Sequence, residues 1–469
     1  LSATPTNTRL PNRISNALQD FHGGVRFEFR RLHFNLEEGG TWFKDDQQLF
    51  ASGVTNTGNR EGPIFAQNLF LTNVLQSYGI RSTGSYSKAA FTTNPVSWFD
   101  LSAQFLYTQP ETDVNYQQNS TGSFISLSQL LFYTGQQALI SATAKLPRTS
   151  GNIGVEIRPF RRVRILESWL TDRLHTASSS DGRQTLLPAT TPQPPETLQS
   201  ARLVTNYSQE QIDILVDVTR KLTLRGGYRY VWGDANTVIL PVTGLTGFEA
   251  GKLRRNIGIA GVSFRPGSKL SLNAEFEGAS SDATYFRTSL SNYQRVHARG
   301  QYQALASLLI AADFSLLANQ NPTAGPLYYY LALQTSISVH WTPKLTGFSV
   351  DGDYTRSTVK SDILNLVPQT LTPAPSLYRD NAHLVSALLN IPLPESHGVT
   401  PKLSAGGALV VSSGSRPTTY FQPLANLSIP VSKHVAWVSQ WRYYGYAEPF
   451  FAYEDFRTHL VTTGLKFTR

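Results

Sequence analysis

Strict alternation of apolar and polar side chains, no apolar run of membrane-helix length, and a regular exchange of short turns with long links predict an all-β chain. The expected architecture is a transmembrane antiparallel up-and-down β-barrel of about 20 strands (roughly 18–22), with short periplasmic turns and long external loops. Of the 469 residues, 40% are hydrophobic and 16% charged, and the net charge is +9. Charge this sparse excludes a solvated disordered chain, which needs many charges and few aromatics. No apolar stretch approaches the ~18–20 residues of a spanning helix.

The alternation appears first at Val25, Phe27 and Phe29, opposed by Arg26, Glu28 and Arg30. The phase slips by one at Arg31, and Leu32, Phe34 and Leu36 then alternate with His33, Asn35 and Glu37. Such a slip marks a bulge or a turn. Leu222, Leu224 and Tyr228 alternate with Thr223, Arg225 and Arg229, and Leu270, Leu272 and Phe276 with Ser271, Asn273, Glu275 and Glu277. Near the end, Val435, Trp437, Trp441 and Tyr443 alternate with Gln440 and Arg442. Period two over such runs belongs to half-apolar strands.

Several links share one design: an apolar residue, a short Pro-containing segment, a cation, then the next strand. Phe264-Arg265-Pro266-Gly267-Ser268-Lys269-Leu270 is the fullest example. Proline cannot donate to a ladder and so belongs between strands. Short turns are expected near Gly39, Pro95, Pro159, Arg220, Pro266, Ser307, Pro343, 393–401 and Pro430. With both termini periplasmic, nine turns give about 20 strands. Ser-, Thr- and Pro-rich stretches at 176–200 and 363–381 read as long external loops, with shorter ones at 233–251 and 317–326. Tyrosine and phenylalanine clusters such as Tyr328-Tyr329-Tyr330 and Phe450-Phe451 fit aromatic girdles at the membrane interfaces. Alternation starting at Val25 divides the chain into an N-terminal periplasmic segment, 1–24, and the barrel, 25–469.

Cysteine is absent, which removes disulfides, thiolate metal sites, cysteine nucleophiles and Cys-x-x-Cys-His haem attachment. Methionine is absent too, the initiator included, which reads as a mature chain whose signal peptide has been removed. The nine histidines form no His-x-x-x-His or His-Glu-x-x-His spacing, so no metal site is expected. The acidic pairs Glu37-Glu38 and Asp45-Asp46 are short of the six or so oxygens of a calcium site and read as solvated edges. No Gly-x-Ser-x-Gly elbow occurs, and neither an enzyme nor a cofactor is expected.

Arginine is the preferred cation. Arg26, Arg30, Arg162, Arg164, Arg225, Arg229 and Arg442 are read as lying on the polar faces of the expected strands, which makes them candidate pore-lining residues. Basic rings favour anions or an acidic guest. The competing reading pairs these arginines with Glu28, Glu156, Glu275 and Glu277 as structural salt bridges. Gly226-Gly227 and Gly406-Gly407 sit within strands, where glycine marks curvature or close approach of another backbone. The cations are dispersed along strands without a recognised module, so nucleic acid is not an expected partner.

In the terminal segment Leu460-Val461-Thr462-Thr463-Gly464-Leu465-Lys466-Phe467-Thr468-Arg469, Val461, Leu465 and Phe467 share one face. It resembles the last strand of Gram-negative outer-membrane proteins, whose terminal aromatic is read by the barrel assembly machinery. Here Thr468 and Arg469 follow that aromatic. The whole chain resembles a large outer-membrane porin, and more loosely the barrel component of porin–cytochrome electron conduits. Some conduit barrels carry an N-terminal cysteine pair that this chain lacks. TonB-dependent receptors resemble it less, because alternation from Val25 leaves too few residues before it for a plug domain. The resemblance implies the cell outer membrane, with lipid and the assembly machinery as partners. It implies a porin-like, anion-biased channel for small solutes. The alternative is a sheath or scaffold around a lumenal or surface protein partner, such as a multihaem cytochrome.

Overall fold

The computed structural model describes residues 12–53, 63–126, 131–188, 197–241, 247–286, 288–322, 328–343, 347–366, 372–395, 399–432, 434–449 and 455–467. The chain is all-β, and hydrogen bonds join twenty strands into one antiparallel, up-and-down sheet. The first seven are β1 (Asn12–Phe29), β2 (Leu32–Ser52), β3 (Phe70–Val96), β4 (Phe99–Ser126), β5 (Leu131–Lys145), β6 (Arg148–Phe160) and β7 (Val163–Leu187). Then come β8 (Thr197–Thr219), β9 (Leu222–Pro241), β10 (Gly247–Phe264), β11 (Leu270–Ala283), β12 (Asn292–Leu305), β13 (Leu308–Asn321) and β14 (Tyr328–Trp341). The last are β15 (Ser349–Leu366), β16 (Pro373–Pro392), β17 (Lys402–Gly414), β18 (Thr419–Pro430), β19 (Val435–Ala447) and β20 (Phe456–Phe467).

β5 and β6 are two halves of one crossing. β4 pairs with β5 from Glu111↔Lys145 to Ser126↔Leu131, and with β6 from Phe99↔Ile157 to Thr108↔Arg148. The break falls at Leu146-Pro147, where proline has no N–H to give the ladder. Counting that pair once, twenty strands make 20 − 1 = 19 crossings.

Short turns close one end of the sheet, and eight of the nine lie at or within a few residues of their expected positions. The exception is Gly39. That residue and Gly40 lie inside β2, opposite Tyr86 and Ser85 of β3. A Cβ on Gly39 would stand 2.6 Å from the Tyr86 ring, and one on Gly40 2.7 Å from the Phe21 ring. These glycines make room for neighbouring rings and do not reverse the chain. The first turn is Arg30-Arg31, where the phase slips.

The N-terminal boundary also moves. β1 begins at Asn12 and pairs with β2 from Asn12↔Leu49 to Phe29↔Leu32, running down to the first short turn. Residues 12–24 are therefore strand, and 1–11 lie outside the described residues. Alternation failed to reveal this part because Ile14 and Leu18 fall on the face opposite Val25, Phe27 and Phe29.

The expected long loops are mostly strand. β7 reaches Leu187 and β8 begins at Thr197; β15 reaches Leu366 and β16 begins at Pro373. Most of 233–251 lies in β9 and β10, and 317–321 lies in β13. β3 has 27 residues and β4 has 28. About 9–11 residues cross a bilayer as a tilted strand, so these strands continue well beyond it. Outside hydrocarbon both faces meet water, the apolar face disappears, and Ser and Thr serve as well as Val.

By its contacts the chain forms two units: Leu1–Ile157, Leu166–Glu210 and Val231–Leu253; and Arg158–Ile165, Gln211–Tyr230 and Arg254–Arg469. In the first, Phe124, Tyr133 and Leu186 make a small apolar cluster. In the second, exposure is inverted relative to a water-soluble protein. Ile212, Ile214, Val216 and Val218 of β8 are exposed, whereas the interleaved Asp213 is 6% exposed. Leu333, Ile337, Val339 and Trp341 repeat this on β14. Such a contiguous apolar face marks a surface made for lipid. Phe264, Tyr302, Trp341 and Trp437 are exposed at the short-turn end, and Tyr228, Tyr354, Phe421 and Trp441 higher on the same face. Phe450 and Phe451 lie outside the described residues.

Ile337→Arg places a charge in the middle of this face and is expected to destabilise the folded protein in vesicles by about 2–4 kcal/mol. Ser338→Arg, on the opposite face, is expected to be tolerated. Urea titration of folding into lipid vesicles measures both.

Candidate pore-lining site

The polar face of β8 to β13 carries a lattice of charge pairs within the second unit. Asp213 on β8 receives a two-pronged contact from Arg225 on β9, with Nε donating at 3.0 Å and Nη2 at 2.9 Å. The same guanidinium donates through Nη1 to Glu275 on β11. It passes over β10 at Gly261, the partner of Glu275 in the ladder. A Cβ on Gly261 would lie 3.3 Å from the Arg225 Cβ, so glycine leaves the crossing open.

One step further from the turns, Arg229 donates Nε to Gln211 at 2.6 Å and places Nη2 3.2 Å from Glu277. Glu277 is 4% exposed. Its other oxygen accepts from the Tyr293 hydroxyl at 3.1 Å and lies 3.5 Å from Arg295 Nη1. Arg255 and Arg295 stand 5.7 Å and 5.6 Å from the centre of the Tyr293 ring, within cation–π range. His297 on β12 meets Asp313 on β13 at 3.0 Å. A cavity of about 300 Å³ opens beside Arg225, Glu275, His297 and Arg299.

Above this lattice the β11–β12 connection folds onto the polar face. Asn319 Oδ1 accepts from the Ser291 amide at 2.9 Å, and its Nδ2 donates to the Ser289 carbonyl at 3.2 Å. Asn321 Nδ2 donates to Thr284 Oγ1 at 3.0 Å. Arg255 donates to the Leu290 carbonyl. Ser291 and Asn321 are fully buried. Both asparagines come from the polar face of β13, so they pin the connection inward.

The seven candidate arginines separate into strand and turn positions. Arg225 and Arg229 are in the lattice. Arg26 pairs with Glu28 on β1, and Arg164 on β7 lies 3.9 Å from Asp217. Arg442 on β19 lies 3.0 Å from the side-chain amide of Gln440. Arg30 and Arg162 are turn residues, beyond the strand ends. The salt-bridge reading thus describes Arg26, Arg225 and Arg229, with Glu28, Glu275 and Glu277 as partners. Asp213, Asp217 and Gln211 were missed, although their place on the polar face of β8 was open to an alternation count. The inward fold of 284–286 and 288–291 had no sequence signal.

Gly227 allows close approach of both a side chain and a backbone: a Cβ there would meet Asp213 Oδ1 at 2.1 Å and the Ile212 carbonyl oxygen at 3.1 Å. Successive acidic residues on β2 part to opposite faces and take separate partners. Glu37 accepts from Tyr86 and Glu38 from Ser87, both at 2.8 Å. Asp46 meets Arg81 at 2.7 Å and Lys44 at 2.9 Å, while Asp45 accepts from Gln47. Among the described residues no group of three or more His, Asp or Glu converges as a metal site. Val461, Leu465 and Phe467 share the apolar face of β20 and are highly exposed.

Gly227→Ala is expected to displace Asp213 from Arg225 and cost about 2 kcal/mol. Gly226→Ala, with nothing within 4 Å, is expected to change stability by less than about 0.5 kcal/mol. Glu277→Ala leaves the largely buried Arg229 without its carboxylate and is expected to cost about 3 kcal/mol. Equilibrium unfolding from vesicles by urea checks all three.

No protein-family model matches the sequence, and no curated protein is similar to it. Solved structures do match the fold. The ferric citrate transporter FecA, unliganded, gives a TM-score of 0.55 at 10% identity, covering 98% of this chain and 77% of that one. The ferric-catecholate import receptor Fiu from E. coli K12, open form, gives 0.53 at 12%, covering 100% and 82%. The RagAB peptide importer in its closed-closed state gives 0.52 at 9%, covering 87% of this chain. The chain spans 62% of the length of that RagAB chain. These matches carry no likeness to porin–cytochrome conduits, and they are receptors and transporters, the type the sequence resembled less. What this chain shares with them is the architecture of Gram-negative outer-membrane proteins, an up-and-down transmembrane β-barrel.

Proposed function

We propose that the protein resides in the outer membrane of a Gram-negative cell and provides a water-filled path for small polar solutes. The observation that carries this reading is the opposition of the two faces. One is exposed and apolar, suited to lipid. The other holds a lattice of arginines and carboxylates that only a wet or protein-filled interior accommodates. Structurally similar proteins include import receptors and a peptide importer, which supports transport as the general task.

The lattice sets the expected selectivity. The five cations Arg225, Arg229, Arg255, Arg295 and Arg299 are nearly balanced by the four carboxylates Asp213, Glu275, Glu277 and Asp313, so the wall offers anions only a weak preference. A planar-bilayer recording in a salt gradient is expected to give steady current with a small anion-biased reversal potential. Glu275→Gln releases one arm of Arg225 and is expected to increase that bias. A barrel that carries no current would overturn the channel reading.

The lengths of β3 and β4 favour a second reading, a sheath or scaffold for a partner protein. At about 3.4 Å per residue, 27 and 28 residues are far more than the bilayer needs. On this reading the barrel conducts only after a co-purifying protein is stripped away.

A further inference from the structure

Three short turns of the second unit carry a concentration of positive charge that the lattice does not use. They are Arg161-Arg162 between β6 and β7, Arg220-Lys221 between β8 and β9, and Arg265 to Lys269 between β10 and β11. All six cations are exposed, and the turn residues include no carboxylate. Among the described residues none of the six is in an ion pair. The turns are neighbours: the Asp217 amide at the foot of β8 donates to the Arg162 carbonyl at 2.8 Å, and the Arg265 amide to the Lys221 carbonyl at 2.7 Å.

Each turn also adjoins lipid-type residues. Phe160 is 72% exposed and precedes Arg161 directly; Phe264 precedes Arg265, and Val218 and Leu224 flank Arg220-Lys221 on the exposed face. Two of the turns are two residues long, so their cations cannot project far beyond this aromatic and aliphatic edge. Side chains at that depth reach the level of phosphate groups, just outside hydrocarbon. All six would serve a phosphate or a carboxylate, but their position at the lipid edge favours the former source.

We infer that these three turns form a cationic rim that binds the headgroups of anionic phospholipid in the periplasmic leaflet. Arginine offers phosphate two parallel donors, and lysine a compact charge. The rim concentrates anionic lipid around this part of the barrel and fixes its depth in the membrane. The inference rests on the outer-membrane reading above.

The test uses the full chain in vesicles of phosphatidylethanolamine mixed with brominated phosphatidylglycerol, with quenching of tryptophan reporting which lipid touches the protein. Heat-modifiable migration on gels first establishes insertion, which tests the outer-membrane reading separately. The wild type is expected to select phosphatidylglycerol on the order of fivefold. That preference should fall toward one at about 0.5 M salt, where the screening length is only about 4 Å. R161Q/R162Q/R220Q/K221Q/R265Q/K269Q is expected to lose it, and a variant with lysine at the four arginine positions to keep most of it. An inserted wild type without preference, or one whose preference ignores salt, overturns the proposal. So does equal preference in the glutamine variant, or capture of an acidic periplasmic protein by a barrel that shows no lipid preference. If the glutamine variant does not insert, the salt titration of the wild type decides.

Discussion

Hydrocarbon offers a peptide group no hydrogen-bond partner, so a chain that crosses a bilayer as strands must bond every N–H and C=O to a neighbouring strand. The ladder follows from that, and period two follows from the ladder. One face of each strand then meets lipid and the other does not. Leucine, isoleucine and aromatics are exposed on the first face, while Asp213 and Glu277 are buried on the second. The ladder also explains the break at Pro147, which interrupts a crossing without ending it.

The polar face has its own economy. Asp213 and Glu277 are buried there, and arginines long enough to span two strands reach the carboxylates of that face. Arg225 to Glu275 and Arg229 to Glu277 each cross β10. Such crossings need low ground. Gly261 supplies it for Arg225, and Gly227 supplies it for Asp213. Glycines that contribute nothing to strand propensity are thus part of the electrostatics, which is why Gly226 and Gly227, adjacent in sequence, have opposite sensitivities to a methyl group.

Fold class and turn positions were legible because both are local. Alternation survives wherever a strand touches lipid, and Pro266 and Pro343 stand at turns for a covalent reason. The 176–200 and 363–381 stretches were misread because the same physics no longer applies above the membrane, where Ser and Thr on both faces make a stable strand indistinguishable from a loop. Gly39 was misread because its glycine answers to Tyr86, a partner 47 residues away in sequence. Among the site residues, Arg225 and Arg229 could be found from their face. Asp213, the carboxylate partner of Arg225, depended on which strands are neighbours, and the inward fold of 284–286 and 288–291 on two asparagines of another strand.

The Ser- and Thr-rich end of β7 has a further bearing on survival at a cell surface. Small polar residues in an exposed loop are where proteases nick most readily. Here Ala177 to Leu187 is held against β5 from Lys145 to Gly135. A protease binds its substrate as an extended strand, and this strand already has its backbone engaged. A stretch composed like a cleavable linker is therefore expected to resist digestion along Ala177 to Leu187.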